Sequence, residues 1–198
     1  MLEAVHGLLA SVGMGAGELE RIVVGVGPGG FTGLRIGIAT ALGLGQALGV
    51  PVRGASSLEA LALGMSEVAP PGAALAPVLD ARRGELFVGA YRARGGGALE
   101  ELLGPRALTP EAAVDALVAL GSPGAPVAVA GDGVAVAGPA LEGPRVAPLA
   151  SGAAAGRVRA TDLVRRVEAG GEVPAMPVYV RLPDAEVNRR RALAAGAG

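Results

Sequence analysis

The chain has 198 residues, enough for one domain or two small ones, and a formal net charge of −1. With 51% hydrophobic and 18% charged residues it can bury a core, and its near neutrality argues against holding nucleic acid by itself, where phosphate contacts dominate. Cysteine is absent, which excludes a disulfide framework, a thiolate metal site and a cysteine nucleophile; at 2% aromatics, the core must be Ala, Val and Leu.

In chain order, Leu2, Val5, Leu8, Leu9 and Val12 recur at helical spacing, and Gly13 stops the helix. An apolar strand over Arg21–Val26 follows, then the run Gly25-Val26-Gly27-Pro28-Gly29-Gly30-Phe31-Thr32-Gly33, which turns the chain into a helix over residues 33–48. Thr32 is placed to cap that helix. Strand, glycine turn and helix N-terminus suggest an anion cradle. A Walker loop needs a lysine, however, and all 17 basic residues are arginine; the dinucleotide fingerprint also has its glycines at other offsets. Gly27, Pro28, Gly29, Gly30, Phe31, Thr32 and Arg35 therefore read as a structural loop rather than a cofactor site, and no cofactor is expected.

Within the helix Gly33, Gly37, Ala41, Gly45 and Gly49 recur every fourth position. Glycine inside a helix costs about 0.8–1.0 kcal/mol relative to alanine, so the stripe predicts close approach, by this chain's own elements or by a partner's helix. The stretch Gly33 to Val50 is apolar but interrupted by Arg35 and Gln46, too short to span a membrane. Without a signal-peptide pattern the chain reads as soluble and cytoplasmic.

Pro51–Ala55 is a short strand, and Ser56 with Glu59 opens a helix to about Met65. Strands alternating with helices predict a parallel sheet. Ala69-Pro70-Pro71-Gly72 breaks the pattern and marks a boundary between a lobe at 1–68 and a second at 69–198. Beyond it, Ala76–Asp80 and Glu85–Tyr91 flank a hairpin turn at Ala81–Gly84. Gly95-Gly96-Gly97 reads as a loose loop. Thr109-Pro110-Glu111 opens a helix to about Leu120, Pro126–Ala130 is a buried strand ending at Gly131-Asp132-Gly133, Thr161–Ala169 is a helix, and Pro177–Arg181 is extended. Arg189-Arg190-Arg191 reads as a solvated basic cluster.

Catalytic constellations do not emerge. The sole histidine, His6, cannot build a zinc pair and is most simply a helix-surface residue. Ser56, Ser57 and Ser151 have no other histidine to form a triad. Asp80, Asp132 and Asp162 could serve as carboxylate acids, bases or ligands, while turn and capping roles explain the first two equally well.

The run Gly27-Pro28-Gly29-Gly30-Phe31-Thr32-Gly33-Leu34-Arg35-Ile36-Gly37, then Gly49-Val50-Pro51-Val52 and Ser56-Ser57-Leu58, resembles the bacterial TsaB family, also called YeaZ. Asp80-Ala81-Arg82-Arg83-Gly84-Glu85, Gly131-Asp132-Gly133 and Pro177-Val178-Tyr179-Val180-Arg181 with Pro183, Ala185 and Glu186 agree, so the match runs along most of the chain. The resemblance implies an α/β fold of the actin/sugar-kinase/Hsp70 (ASKHA) type with two lobes. It also implies a noncatalytic subunit that pairs with TsaD, which transfers a threonylcarbamoyl group to the adenine beside the tRNA anticodon. An ATPase, TsaE, binds that pair; tRNA is met through the complex, and a homodimer is the expected alternative when TsaD is absent. The family's pairing surface lies on its first two helices, which match Leu2, Val5, His6, Leu9, Gly33, Gly37, Thr40, Ala41 and Leu44 here. Family members open with a strand and hairpin that this sequence does not show, so the first lobe is expected to be truncated, with a bare sheet edge and poor solubility. Two rival readings remain at this stage, an ATP-using kinase or ATPase of the same fold and a metallopeptidase homologue.

Overall fold

The computed structural model describes residues 2–149 and 156–181; Ser151, Pro183, Ala185, Glu186 and the Arg189–Arg191 cluster lie outside them. Helix α1 (Leu2–Ser11) leads to strand β1 (Ile22–Gly27), helix α2 (Phe31–Leu48) and strand β2 (Val52–Ser56). β1 and β2 pair in parallel, Ile22 opposite Val52, as the strand–helix–strand pattern predicts. Helix α3 (Ser57–Ser66) follows without a break. Its N-cap is Ser56, whose hydroxyl accepts the Glu59 N–H at 3.4 Å.

After the Pro70–Gly72 turn come strands β3 (Ala74–Arg82), β4 (Glu85–Gly95) and β5 (Ala98–Leu108), helix α4 (Pro110–Val118), strand β6 (Val127–Ala130), helix α5 (Gly133–Ala137), strand β7 (Val146–Pro148) and helix α6 (Ala160–Glu168). The second sheet has the order β5-β4-β3-β6-β7, antiparallel across β5, β4 and β3 and parallel from β3 to β7. Val78, Leu86, Val88, Leu117, Val127, Val129 and Leu141 form the core under α4.

α3 lies between the two sheets, touching β3 and β4 on one side and β1 and β2 on the other. Leu58, Leu61, Leu63 and Met65 are all buried, which is why a helix apolar all round is stable there. α6 returns to pack on β1, β2 and α3. The segment around Val178 runs beside β1, its N–H donating to the Val26 carbonyl at 2.8 Å.

Four expectations are corrected. Thr32 does not cap α2: the helix starts at Phe31, its N-cap is Gly30, and Thr32 sits inside the first turn. The turn after β3 is shorter than expected, because β3 continues through Arg82 and a bulge between Asp80 and Arg82 absorbs the change of register. Gly95, Gly96 and Gly97 are a tight hairpin turn rather than a loose loop, all three with positive φ. The small-residue stripe of α2 is not one surface. Gly45 faces inward, where an added Cβ would fall 2.4 Å from Val52 Cγ2, and Gly49 lies past the helix end as its left-handed C-cap.

Candidate functional site

Among the described residues, α1 and the outer face of α2 carry exposed apolar side chains. No residue of α1 is buried, and α1 makes no extended contact with another element there. Leu8 is 66% exposed, and Leu2 and Val12 are comparably open. α2 packs on β1 through Leu34, Ile38, Ala41, Gly45 and Leu48, positions spaced by three and four. Its opposite face shows Ile36, Leu42 and Gly43 to solvent. Cβ atoms added at Gly33, Gly37 or Gly43 would meet nothing within 4 Å, so no described element approaches closely there.

Of the positions expected to form a pairing surface, Leu2, His6 and Gly33 are exposed, and Val5, Leu9, Gly37, Thr40 and Leu44 are half-buried flanks. Ala41 is a correction. At 6% exposed it lies in the seam between α2 and the sheet, because it falls on the same helical stripe as Ile38 and Gly45. Ile36 and Leu42, both exposed, were absent from the expected set; the apolar character of Ile36 two residues from both Leu34 and Ile38, and so off the inward stripe, was the available signal.

The glycine turn builds a second feature. Gly27 has φ +106, and a side chain there would crowd Leu34 Cδ1 at 2.9 Å and the Val178 carbonyl at 3.1 Å. This close approach sets the Val178–Arg181 segment beside the start of α2. Phe31 and Tyr179 then stack, ring centroids 5.2 Å apart and planes at 29°. The Arg35 guanidinium lies 3.8 Å from the Phe31 centroid, and its Nε–H donates to Tyr179 Oη at 2.9 Å. Opposite stands the β3–β4 hairpin, and between them opens a cleft of about 430 Å³ lined by Gly29, Gly30, Phe31, Thr32, Asp80, Arg82, Arg83, Tyr179 and Arg181, among others. Arg82 pairs with Asp80 at 2.9 Å and Arg181 with Glu85 at 2.5 Å, while the Asp80 N–H is held by Asp132 at 2.9 Å. Asp80 and Asp132 thus fix the hairpin base. These contacts run through Gly27, Phe31 and Arg35, and Tyr179 and the paired arginines are the additions that a one-dimensional reading missed.

An ionic clamp ties α6 to α3. Asp162 is fully buried, accepting from Arg159 Nε at 2.6 Å, Arg159 Nη2 at 3.0 Å and Arg165 Nη1 at 3.2 Å. Arg159 and Arg165 also reach Glu67 at the end of α3, at 2.7 and 2.5 Å. The Arg159 hydrogen bond, then that from Arg165, holds Glu67 below the ordinary carboxylate range against the opposing effect of burial, and Asp162 and Glu67 hold the Arg159 guanidinium more firmly protonated. Asp162 is therefore a structural carboxylate. Among the described residues no group of three His, Cys, Asp or Glu side chains could hold a metal ion, and no helix is long and apolar enough to cross a membrane.

The family model described as TsaD, tRNA N6-adenosine threonylcarbamoyltransferase, matches residues 1–137. The tRNA threonylcarbamoyladenosine biosynthesis protein TsaB of Bacillus subtilis is 39% identical over 95 residues, 48% of this chain and 40% of that protein, so the match spans less than half of its length. A Mycobacterium tuberculosis protein is 38% identical over 181 residues, covering 90% of this chain and 72% of its own. Among solved structures, a Pseudomonas aeruginosa protein described as similar to peptidase YeaZ superposes with a TM-score of 0.71 at 30% identity, over 91% of this chain and 82% of that one. The two sheets and their helices fit the ASKHA-like fold expected above. The chain belongs to the TsaB/YeaZ family, within the wider family that the threonylcarbamoyltransferase model describes.

Proposed function

We propose that this chain is a noncatalytic subunit in the biosynthesis of threonylcarbamoyladenosine in tRNA, and that it acts by docking TsaD through the outer faces of α1 and α2. The observation that carries this reading is α1 itself, a ten-residue apolar helix with no buried residue. So short a helix is marginal in water unless its apolar face is covered. The open glycines of α2 complement it, because a partner's backbone can approach where no side chain intervenes. In this reading TsaE joins the assembled pair, tRNA is modified by TsaD in the cytoplasm, and a second copy of this chain covers the same face when TsaD is missing. The lobe division at residues 68 and 69 belongs to the same reading.

The test is co-elution of the chain with TsaD, with and without Leu8→Glu and Ile36→Glu. A charge at the centre of such a face is expected to weaken pairing ~30-fold or more, while circular dichroism and the unfolding midpoint stay unchanged. Transfer of the threonylcarbamoyl group in the reconstituted mixture should fall in step. Undiminished pairing, or unaided turnover of a substrate by the purified chain, would overturn the proposal.

A further inference from the structure

α3 joins the two sheets, touching β1 and β2 on one side and β3 and β4 on the other, but none of its residues lines the cleft. α2 and β1 themselves make no extended contact with β3 or β4. Along the cleft, the segment 178–181 runs from one wall to the other. The Val178 N–H donates to the Val26 carbonyl, and Tyr179 stacks on Phe31 while its Oη accepts from Arg35. Two residues on, Arg181 pairs with Glu85, the first residue of β4. Both attachments are shallow: Phe31 and Tyr179 are 40% and 41% exposed, and the Arg181 and Glu85 side chains 26% and 35%. Surface ion pairs contribute little one at a time, whereas α3 is held by side chains that are fully buried. The segment thus belongs to the part of the fold that opens before the rest unfolds. The hairpin it holds is strained, because Arg82 and Arg83 both take the left-handed backbone conformation, at φ 64° and 56°.

We propose that the segment 178–181 is a latch. It holds the β3–β4 hairpin to the start of α2, and loss of its grip on either wall opens the cleft while α3 keeps the two sheets together. The two attachments lie in series along one short stretch of chain, so neither holds the walls without the other. Release lets the hairpin tip relax, so the strain at Arg82 and Arg83 favours opening and the latch opposes it. Such a device sets how often the cleft is accessible. At about 100° per residue, Phe31 and Arg35 lie on the flank of α2 opposite Gly33, Gly37 and Thr40. The latch therefore works apart from docking through α1 and α2.

The experiment is amide hydrogen exchange of the full chain, read by mass spectrometry in peptides covering residues 26–36 and 80–88. Tyr179→Leu cuts the attachment to α2, and Glu85→Ala cuts the attachment to the hairpin. Each variant should speed exchange in both peptides by about threefold or more, the far wall responding as well as the near one. The double variant should be no faster than the quicker single one, because a latch in series is already open after one cut. Exchange in α3 and β6 should keep the parent rate. TsaD pairing should be the same in all three variants, so the docking reading can fail without touching this result. Acceleration confined to the wall that carries the substitution, or multiplied in the double variant, would show two independent local contacts and refute the latch. Parent rates in both peptides, or acceleration that spreads to α3, would refute it as well.

Discussion

The five-stranded sheet and the two-stranded sheet are built from the same aliphatic residues, yet they end in different states. In the larger sheet, β3 and β4 carry unbroken runs of buried residues, and α4 covers them through Ala113 and Leu117. In the smaller, β1 has four half-buried residues out of six, β2 is its only sheet partner among the described residues, and α1 has no buried residue and makes no extended contact with another element there. Apolar composition is thus not the distinguishing quantity. The number of neighbours available to each apolar face is. A face with a neighbour becomes core, and one without becomes a docking surface or a liability.

The sharpest way to break this contrast is to truncate one leucine on each side. Leu117 is fully buried among Val78, Val88, Val127 and Leu141. Leu117→Ala removes that packing and leaves a cavity, so urea unfolding should show a loss of about 2–5 kcal/mol. Leu8→Ala removes the same atoms from an exposed position, and its cost should stay within about 0.5 kcal/mol. Equal losses at the two sites would show that α1 is packed within the chain after all.

The joint between the two sheets gives a smaller effect. Gly64 lets α6 approach α3 so closely that a Cβ there would lie 3.0 Å from Asp162 Oδ2. Asp162→Asn keeps the volume but leaves Arg159 and Arg165 facing each other without their buried anion. Unfolding should show a loss of about 2–3 kcal/mol, less than for a fully buried pair because both arginines reach water. A change confined to one sheet's signals would mean that α6 does not couple them.

The local chemistry of the chain was largely readable in one dimension. Ser56 and Thr109 cap the helices they precede, Pro110 sits at the first helical position, and β1, α2 and β2 follow from apolar periodicity and glycine punctuation. β5 was not readable, and its place in the sheet explains why. As an edge strand it can carry Glu100, Glu101, Gly104 and Pro105, residues that disguise a strand. β7, three residues long, offers no period to detect. The cleft was hidden for a different reason. Arg35 and Tyr179 are 144 positions apart, and nothing in either neighbourhood signals the other. Helix periodicity could divide α2 into faces, but only the position of the β1–β2 sheet decides that Ala41 belongs to the inner one.

The smallest expected effect concerns pH, and it tests the joint without removing a buried group. Glu67 is held below the ordinary carboxylate value of 4.5 in the folded chain, first by Arg159 and then by Arg165. A depressed folded value means that the unfolded chain takes up the proton first. The stabilisation is therefore complete above the ordinary value and is lost as pH falls through the folded one. Glu67→Gln lacks this contribution at every pH. The parent should be the more stable protein at neutral pH, and its advantage should shrink on acidification to about pH 3, measured as the difference in urea midpoints. The side chain is 41% exposed, so solvent screens the pair and the advantage is expected to fall further in high salt. An advantage that is independent of both pH and salt would assign the Glu67 contact to packing, leaving the Arg166–Glu59 pair, at 2.7 Å, as the charge contact that binds α6 to α3 among the described residues.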